Sequence, residues 1–452
     1  MDVKDKKVVI IGLGKTGFET AIFLYKKGAD VFLTEAKVTD EIYKNASLLN
    51  EKGIKTEIGG HTEAFLENME LLIVSPGVPD DALPVKYAES KNIPVISELE
   101  LAFNFSPTNK IIAITGTNGK TTTTALTGHI LQKAGFPVNV CGNIGNPFIG
   151  EIENLTEDTY VVLETSSFQL ERTITFKPSI ACLLNIAEDH IDRHKTMKKY
   201  IEAKKKIFAN QDKNDFAIIN YDDNYCQEIV PDIKSNLFFF SHRIIKEKGA
   251  YISGKHIFSN IKNLEEVLNI TKTNLWGKGN IENMMASTLI GLLCNLSPDD
   301  IKEAIYSFTP LPHRLEKVAE INGVLFINDS KSTNPHSVIN ALDSIDNNTE
   351  TILIMGGRNK DMSFSGVIPH FQKKVFLIIL LGEAKEELAK EFSTTGLPLI
   401  KVDTLKEAVE KALKNAKTGN IVMFSPGCTS FDMFNNYKER GDAFKKEVFS
   451  LL

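Results

Sequence analysis

The feature that most constrains the fold is the segment Thr115-Gly116-Thr117-Asn118-Gly119-Lys120-Thr121-Thr122, which directly follows the apolar run 111–114. This order predicts a strand, a tight loop whose N–H groups face phosphate, and a helix whose N-terminus adds partial positive charge. Lys120 would neutralise phosphate, and the Thr121 hydroxyl would reach magnesium. Ile114 occupies the first glycine position of the usual G-x-x-x-x-G-K-[ST] pattern, so the loop is a shortened variant. The segment predicts a nucleoside triphosphate site.

The rest of the chain alternates short β-rich runs with amphipathic segments of helix length, which is typical of parallel sheets covered by helices. Its 452 residues exceed what one hydrophobic core usually serves. We predict an α/β protein with three domains: a Rossmann-like domain over 1–98, a central domain over 99–310, and a Rossmann-like domain over 311–452. The central domain would be a P-loop ATPase-like parallel sheet with helices on both faces.

Composition limits the cellular location and the binding partners that we expect for the chain. No apolar run is long enough to span a bilayer, and the first residues carry no signal-type apolar core. A net charge of -6 disfavours sequence-independent binding to nucleic acid. The five cysteines are scattered without a C-x-x-C pair, so they indicate neither a disulfide framework nor a zinc site. We expect a cytoplasmic monomer that binds no nucleic acid and no membrane.

A second glycine loop, Gly12-x-Gly14-x-x-Gly17, follows the first predicted strand, and Glu35 ends the second. This spacing fits a dinucleotide fingerprint, which makes a nicotinamide-dependent oxidoreductase one alternative. That alternative does not explain the triphosphate loop or the third α/β block. A nucleotide-driven switch or motor is another alternative, and it leaves the acidic and histidine motifs of the central block without a role.

Those motifs are E-T-S-S-F-Q-L, which begins at Glu164, and E-D-H-I-D-R-H, which contains His190. Each follows an apolar strand. Side chains at the carboxyl ends of neighbouring parallel strands meet at one edge of the sheet, here beside the phosphate loop. A carboxylate and an imidazole in that position can hold magnesium, whereas either side chain alone would fit an ordinary polar residue exposed at the end of a strand.

Taken together, these motifs resemble the Mur ligase family, the ATP-dependent amino-acid ligases of bacterial peptidoglycan synthesis, over essentially the whole chain. The marks of the family are 115–122, Glu164, His190 and the segments N-I-E-N at 280–283, L-P-H-R at 311–314 and N-D-S-K-S-T-N at 328–334. G-L-G-K-T-G at 12–17, S-P-G-V-P at 75–79 and S-P-G-C-T-S-F-D-M-F at 425–434 are most similar to the branch that adds D-glutamate to UDP-N-acetylmuramoyl-L-alanine. A sibling with another amino-acid specificity stays the alternative within the family.

The resemblance implies a reaction through an acyl phosphate, with ATP, two Mg²⁺ ions and a carbamylated Lys204. Lys120, His190 and Lys204 would be catalytic, and Thr121, Glu164, His190 and Lys204 would hold metal. We expect Lys205 and Lys206 to lower the pKa of the Lys204 amine by like-charge repulsion. Without the resemblance, these three lysines fit a solvated helix face.

The resemblance also implies the binding residues. ATP would meet Gly116, Thr117, Asn118, Gly119, Lys120, Thr121, Thr122, Asn280, Asn283, Arg314 and Asp329. The UDP-linked substrate would meet Gly14, Lys15, Thr16, Ser75, Asn143, Ser166 and Gln169. D-glutamate would meet Lys331, Thr333, Lys360, Ser430 and Tyr437. Arg358 and Asn359 stand where the family often has an aspartate.

Overall fold

The computed structural model describes residues 1–345, 348–371 and 374–452, apart from the side chain of Asp192. The chain forms two compact units. The first contains residues 1–269 and 283–305, and the second contains residues 270–282 and 306–452. The three-way division at residues 98 and 310 stays a prediction.

The first unit begins with a five-stranded parallel sheet in the order β3-β2-β1-β4-β5. Its strands are β1 Lys7–Ile11, β2 Asp30–Glu35, β3 Lys55–Ile58, β4 Leu71–Val74 and β5 Val95–Ser97. Its helices are α1 Lys15–Lys26, α2 Asp40–Asn50, α3 Glu63–Leu66, α4 Leu83–Ser90 and α5 Glu98–Phe105. Parallel strands form here because residues such as Val8 to Ile11 are apolar and buried, as strands covered on both faces require.

The same unit holds a nine-stranded sheet in the order β14-β13-β12-β11-β10-β9-β6-β8-β7. Its strands are β6 Ile111–Thr115, β7 Val138–Gly142, β8 Tyr160–Glu164, β9 Ile180–Leu183, β10 Phe216–Asn220, β11 Asn236–Ser241, β12 Gly249–Ser253, β13 His256–Ser259 and β14 Glu265–Asn269. The accompanying helices are α6 Lys120–Lys133, α7 Phe148–Glu151, α8 Ser167–Glu171, α9 Ile191–His194, α10 Met197–Lys205, α11 Asn224–Glu228, α12 Lys278–Leu293 and α13 Pro298–Ser307. Residues 278–282 of α12 belong to the second unit.

The second unit holds a six-stranded sheet in the order β15-β16-β20-β17-β18-β19, parallel except for β15. Its strands are β15 Glu316–Ile321, β16 Val324–Asn328, β17 Thr351–Gly356, β18 Val375–Leu381, β19 Leu399–Lys401 and β20 Ile421–Gly427. Its further helices are α14 Pro335–Asp343, α15 Ile368–Phe371, α16 Lys385–Phe392, α17 Leu405–Asn415 and α18 Tyr437–Phe449.

These sheets confirm the predicted α/β class with three sheet-and-helix blocks. The central sheet departs from the prediction at one side, where β13 pairs antiparallel with β12 and β14. Neither strand carries the long apolar run that marks a buried parallel strand, so the alternation rule did not find them. The strand β3 likewise lacks such a run, since none of its four residues is fully buried.

The core of the first unit is continuous across its two sheets. Buried side chains from β1 through β12 form one cluster that includes Ile10, Leu101 and Leu163. Hydrogen bonds also join the start of α5 to the segment after α8. The Glu100 carboxylate accepts hydrogen bonds from the backbone N–H groups of Ile174, at 2.9 Å, and Phe176, at 3.0 Å. The two predicted N-terminal domains therefore share one packed interior.

In the described part of the chain, no helix is both long and apolar enough to cross a membrane. The five cysteines are all free and buried. This agrees with the absence of a disulfide pattern in their spacing.

Glu98, at the first position of α5, is a buried carboxyl. Its Oε1 accepts the Ile149 N–H at 2.7 Å, while Oε2 has no hydrogen-bond partner among the described residues. Burial raises the pKa of Glu98 to about 7, from an ordinary value of 4.5. The folded chain therefore holds this proton between those pH values while the unfolded chain releases it.

We predict that this group makes stability fall as pH rises from about 4.5 to about 7. Glu98→Gln removes the titration, so its stability relative to the wild type should increase over that window, by at most about 1.4 kcal/mol per pH unit. Chemical denaturation at several pH values measures the difference, with the exposed Glu41→Gln as control. Parallel pH profiles for wild type and Glu98→Gln would contradict the prediction.

Candidate functional site

The phosphate loop lies between β6 and α6, as predicted. Gly119 precedes α6 with φ +85°, a conformation that favours glycine. A Cβ at this position would lie 2.4 Å from Asn283 Oδ1. The Asn283 oxygen also accepts a hydrogen bond from Thr123 at 3.0 Å, so α12 packs directly on the loop. Gly119 is required by both the backbone angle and this close approach.

Asn185, which is not among the predicted site residues, holds the loop from the end of the neighbouring strand. It follows β9, and its side chain accepts the Asn118 N–H at 2.8 Å and donates to the Asn118 carbonyl at 3.1 Å. Its own carbonyl accepts the Thr117 N–H at 2.9 Å. These bonds fix the middle of the loop. The signal in the sequence was the polar residue directly after an apolar strand, as at Glu164.

Two lysine amines meet at one carbonyl oxygen of the loop. Lys120 Nζ lies 2.9 Å from the Gly116 oxygen, and Lys204 Nζ lies 2.8 Å from the same atom. Lys204 is only 1% exposed. The structure thus brings together Lys120 and Lys204, which are 84 positions apart in the chain. Two cations around one oxygen create a centre that favours an anion.

Burial, followed by the positive charge of Lys120, holds the pKa of the Lys204 amine well below its ordinary value. The predicted direction agrees with this, but the predicted cause was wrong. Lys205 instead forms ion pairs with Glu202 and Asp232, and Lys206 donates to the carbonyl of Glu171. The neighbouring lysines point to other partners because successive residues of a helix lie about 100° apart.

Glu164 ends β8, the strand beside β6, and pairs with Ile114 directly before the phosphate loop. Its Oε1 accepts a hydrogen bond from Asn143 at 2.8 Å. Its Oε2 is buried and has no hydrogen-bond partner among the described residues. A buried carboxylate oxygen in this state is costly unless a cation or donor satisfies it. The residue fits the predicted role of metal ligand.

His190 lies at the N-terminal end of α9 in the left-handed conformation, with φ +56°. Its backbone N–H donates to Asp189 Oδ1 at 2.9 Å, and the centre of its ring lies 5.1 Å from the centre of the Phe168 ring. The second histidine of the motif, His194, is buried, and burial lowers its pKa to about 4. His194 is therefore a neutral interior group, whereas His190, more than a third exposed, is placed for ligand contact.

The first glycine loop reaches the central sheet. Lys15 Nζ donates to the Gly145 carbonyl at 3.0 Å and to Asn146 Oδ1 at 2.6 Å. Ser75 donates to the Gly12 carbonyl at 3.3 Å. The predicted UDP-substrate residues Gly14, Lys15, Thr16, Ser75 and Asn143 thus come from loops that are linked by direct contacts.

Glu35 does not have the environment that a dinucleotide site needs. Its Oε2 accepts the Leu13 N–H at 2.9 Å, and its Oε1 accepts the Lys37 N–H at 2.8 Å. The carboxylate is therefore occupied by the glycine loop and by the backbone just after β2, whereas a nicotinamide dinucleotide needs this carboxylate for its ribose. This contact pattern disfavours the oxidoreductase alternative.

Ser166 and Gln169 form a capping box at the start of α8. The Ser166 hydroxyl accepts the Gln169 N–H at 3.3 Å, and Gln169 Oε1 accepts the Ser166 N–H at 3.0 Å. Such a box satisfies donors at the helix end. The structure gives both residues a structural role, and substrate contact by them stays a prediction.

In the second unit, the predicted ATP residue Asp329 is buried. It accepts hydrogen bonds from the Ser425 hydroxyl at 3.0 Å and the Leu315 N–H at 3.2 Å. Burial raises the pKa of Asp329 to about 7, and the positive charge of Arg314 acts in the opposite direction. Asn280, in the same unit, donates to the Trp276 carbonyl at 2.9 Å.

The predicted glutamate residues lie around one loop pair of the second unit. Lys331 Nζ lies 4.4 Å from the centre of the Tyr437 ring. The buried Arg440, not predicted, donates to the carbonyls of Ser330 at 2.8 Å and Cys428 at 3.0 Å. These bonds tie the loop before Lys331 to the loop before Ser430. Nothing in the sequence separated Arg440 from an ordinary helix-surface arginine.

Lys360 lies in a loop whose other polar residues are engaged. Arg358 forms a bidentate pair with Glu383, with both contacts at 2.8 Å, and Asn359 donates to Glu387 at 2.8 Å. The two residues that depart from the family pattern therefore fasten this loop to α16 and the turn before it. Contact of Lys360 and Thr333 with D-glutamate stays a prediction.

Comparison with known families matches three segments of the chain in order. Residues 6–97 match a profile described as "Mur ligase MurD-like, N-terminal domain". Residues 114–291 match "Mur ligase middle domain", and residues 313–428 match "Mur ligase, glutamate ligase domain". Together the three profiles cover most of the chain.

Full-length relatives include two proteins named UDP-N-acetylmuramoylalanine--D-glutamate ligase. The protein from Koribacter versatilis is 39% identical, with 99% of this chain and 98% of the relative covered. That from Caldicellulosiruptor bescii is 42% identical, with 100% and 99% covered. Among solved structures, the UDP-N-acetylmuramate-alanine ligase MurC from Thermotoga maritima shares the fold, with a TM-score of 0.60 at 18% identity over 99% of this chain and 100% of that one.

We predict that Asn185→Ala weakens ATP binding by about tenfold, because two hydrogen bonds that hold the loop are lost. Isothermal titration calorimetry gives the dissociation constant for ATP. Asn415→Ala, on the exposed surface of α17, is the matched control. An unchanged dissociation constant in a folded Asn185→Ala protein would show that the loop does not depend on this clamp.

Proposed function

This chain belongs to the Mur ligase family, and we propose that it joins D-glutamate to UDP-N-acetylmuramoyl-L-alanine at the cost of ATP. The observation that carries the proposal is the convergence of Lys120 and Lys204 on the Gly116 oxygen, with the unsatisfied oxygen of Glu164 on the neighbouring strand. The amino-acid specificity is supported by the names of full-length relatives such as those from Koribacter versatilis and Caldicellulosiruptor bescii.

ATP is the source of the activating phosphoryl group. Loop N–H groups and the N-terminus of α6 attract its phosphates, as helix N-termini do. Lys120 Nζ donates to the carbonyls of Gly116 and Thr117, each at 2.9 Å. A phosphate oxygen is a stronger acceptor than a carbonyl, so Lys120 turns from these oxygens to the triphosphate when ATP is present.

Magnesium fits the residues at the loop. Glu164 Oε2 is buried without a hydrogen-bond partner among the described residues, and carboxylate oxygens are the ligands that Mg²⁺ prefers. Thr121 and Glu164 would hold one ion and His190 the second, with a carbamylated Lys204 as a further ligand. Bound Mg²⁺ supplies positive charge that offsets repulsion between the substrate carboxylate and the triphosphate.

Lys204 is suited to carbamylation because its amine is buried and its pKa is low. The neutral nitrogen adds to the carbon of carbon dioxide, and loss of one proton leaves a carbamate anion on Nζ. The side chain changes from a neutral amine to an anion, which adds an attraction to the Lys120 ammonium. That attraction is the physical advantage of the modification at this position.

The overall chemistry is a transfer in two balanced steps. The terminal carboxylate of the muramoyl-alanine attacks the γ-phosphorus, a new C–O–P linkage forms, and ADP leaves with the bridging oxygen. The amine of D-glutamate then attacks the acyl carbon, phosphate leaves, and the nitrogen loses a proton. Lys120 stays beside the transferring group and stabilises its charge in both steps.

The remaining predicted residues would bind the UDP-linked substrate, D-glutamate and the nucleotide. The UDP-linked substrate would lie along Gly14, Lys15, Thr16 and Ser75 towards Asn143. D-glutamate carboxylates would meet Lys331, Thr333, Lys360 and Ser430, with Tyr437 beside Lys331. Asn280, Asn283, Arg314 and Asp329 would meet the nucleotide. We also propose that the chain works as a monomer in the cytoplasm.

We predict phosphate release that depends on ATP, Mg²⁺ and UDP-N-acetylmuramoyl-L-alanine, and on D-glutamate in preference to L-glutamate, L-alanine or diaminopimelate. A coupled phosphate assay across these amino acids measures the preference, with nicotinamide absorbance as a control for the oxidoreductase alternative. Preference for a different amino acid would assign the chain to another branch of the family. Release without any amino acid would instead indicate a hydrolase.

We predict that Lys120→Ala abolishes ligation, and that Lys204→Ala lowers kcat by roughly 100-fold or more because a charged group at the reaction centre is lost. Acetate or another short-chain carboxylate should partly restore Lys204→Ala by occupying the position of the carbamate. Lys205→Ala is the matched control, since that amine is paired with Glu202 and Asp232. Near-normal turnover of Lys204→Ala would exclude the carbamate.

A further inference from the structure

The helix α10 separates the proposed reaction centre from a large cavity in the first unit. Lys204 faces the phosphate loop, whereas Lys205 and Lys206 contact other segments of the protein. The cavity has a volume of ≈ 1000 Å³ and is lined by residues of the segments 79–81, 193–209 and 232–233 together with Glu171. None of the residues predicted to bind ATP, metal, the UDP-linked substrate or D-glutamate lies in its wall.

Part of the wall is apolar. Pro79, Phe208, Ala209 and Ile233 line the cavity, and Ala203 adds a methyl group from α10. Apolar walls favour an organic molecule over a small inorganic ion, because the removal of apolar surface from water stabilises the complex.

Most acidic side chains of the wall are already neutralised. Asp80 accepts hydrogen bonds from Arg193 at 2.9 and 3.1 Å. Glu202 and Asp232 both pair with Lys205, at 3.3 and 2.9 Å. These contacts leave the acids with little attraction for a further cation.

Lys206 is different, because it is a half-buried amine that the carboxylates of Glu171 and Glu100 attract without a direct ion pair. Its Nζ donates to the carbonyl of Glu171, and it forms no ion pair with the described residues. Lys198 and Lys199, which are exposed on α10, also line the cavity and form no ion pair in the described part of the chain.

We infer that this cavity is a binding site for a small organic anion, whose acidic group pairs with Lys206 and whose apolar body packs against Phe208 and Ile233. Lys198 and Lys199 attract the anion at the rim. An anion held at Lys206 contacts α10, and Lys204 lies on another face of the same helix. Its lining shares no residue with the predicted sites of ATP and the UDP-linked substrate.

The probe for this site is 8-anilinonaphthalene-1-sulfonate, an aromatic anion whose fluorescence rises in apolar surroundings. We expect saturable binding to the full chain that persists with saturating ATP and UDP-N-acetylmuramoyl-L-alanine. Lys206→Met should weaken binding by about tenfold or more, since a charged hydrogen bond is removed. Lys206→Arg keeps the charge and should bind nearly as well as the wild type.

Lys213→Met, which removes an exposed lysine outside the cavity, is the control and should bind like the wild type. The uncharged analogue N-phenyl-1-naphthylamine should be insensitive to Lys206→Met, since it offers no anion. Equal sulfonate affinity in wild type and Lys206→Met would overturn the inference. Displacement of the probe by the substrates would also overturn it, because the cavity would then belong to the reaction site. Circular dichroism verifies that each variant is folded. If Lys206→Met does not fold, Lys206→Arg still tests whether a positive charge at this position supports binding.

Discussion

The carbonyl oxygen of Gly116 accepts hydrogen bonds from two lysine amines, and the rest of the proposed site is arranged around this contact. Lys120 and Lys204 lie 2.9 and 2.8 Å from it. Burial disfavours the charged form of Lys204, and the nearby Lys120 ammonium repels it, so the pKa of Lys204 falls. The arrangement is relieved by an anion, by loss of the Lys204 proton, or by carbamylation. Phosphate binding and amine activation therefore share one physical cause.

Such a centre has to be held in position by the surrounding fold. Asn185 binds both backbone polar groups of Asn118, and Asn283 approaches so closely that position 119 must be glycine. Glu164 lies beside the loop through the pairing of β6 with β8, and Asn143 orients its carboxylate. Each support comes from a different segment of the first unit. The loop is preorganised before any ligand is present, as electrostatic stabilisation of a transferring phosphoryl group requires.

Strands with uninterrupted apolar runs, such as Leu71–Val74 and Ile180–Leu183, fit the predicted alternation of β-rich runs with segments of helix length. Strands such as β3 and β14 were missed, because half-exposed residues give little apolar signal. Phosphate-loop residues were predictable because the loop is local in sequence. Arg440 was not, and Asn185 had only the signal of a polar residue after an apolar strand, since the importance of both arises from hydrogen bonds to distant backbone groups. The binding of each substrate by the remaining predicted residues stays a prediction.

The sequence by itself determined the α/β class, the triphosphate loop and membership of the family, because apolar runs and loop motifs are local patterns. Only the tertiary structure decided which lysine of the run 204–206 is buried at the loop. Helix geometry directs neighbouring side chains to different surroundings, so Lys204 meets Gly116, Lys205 meets two acids, and Lys206 meets the cavity wall. Identical residues thereby acquire different protonation and roles, because burial and nearby charge are properties of the folded chain.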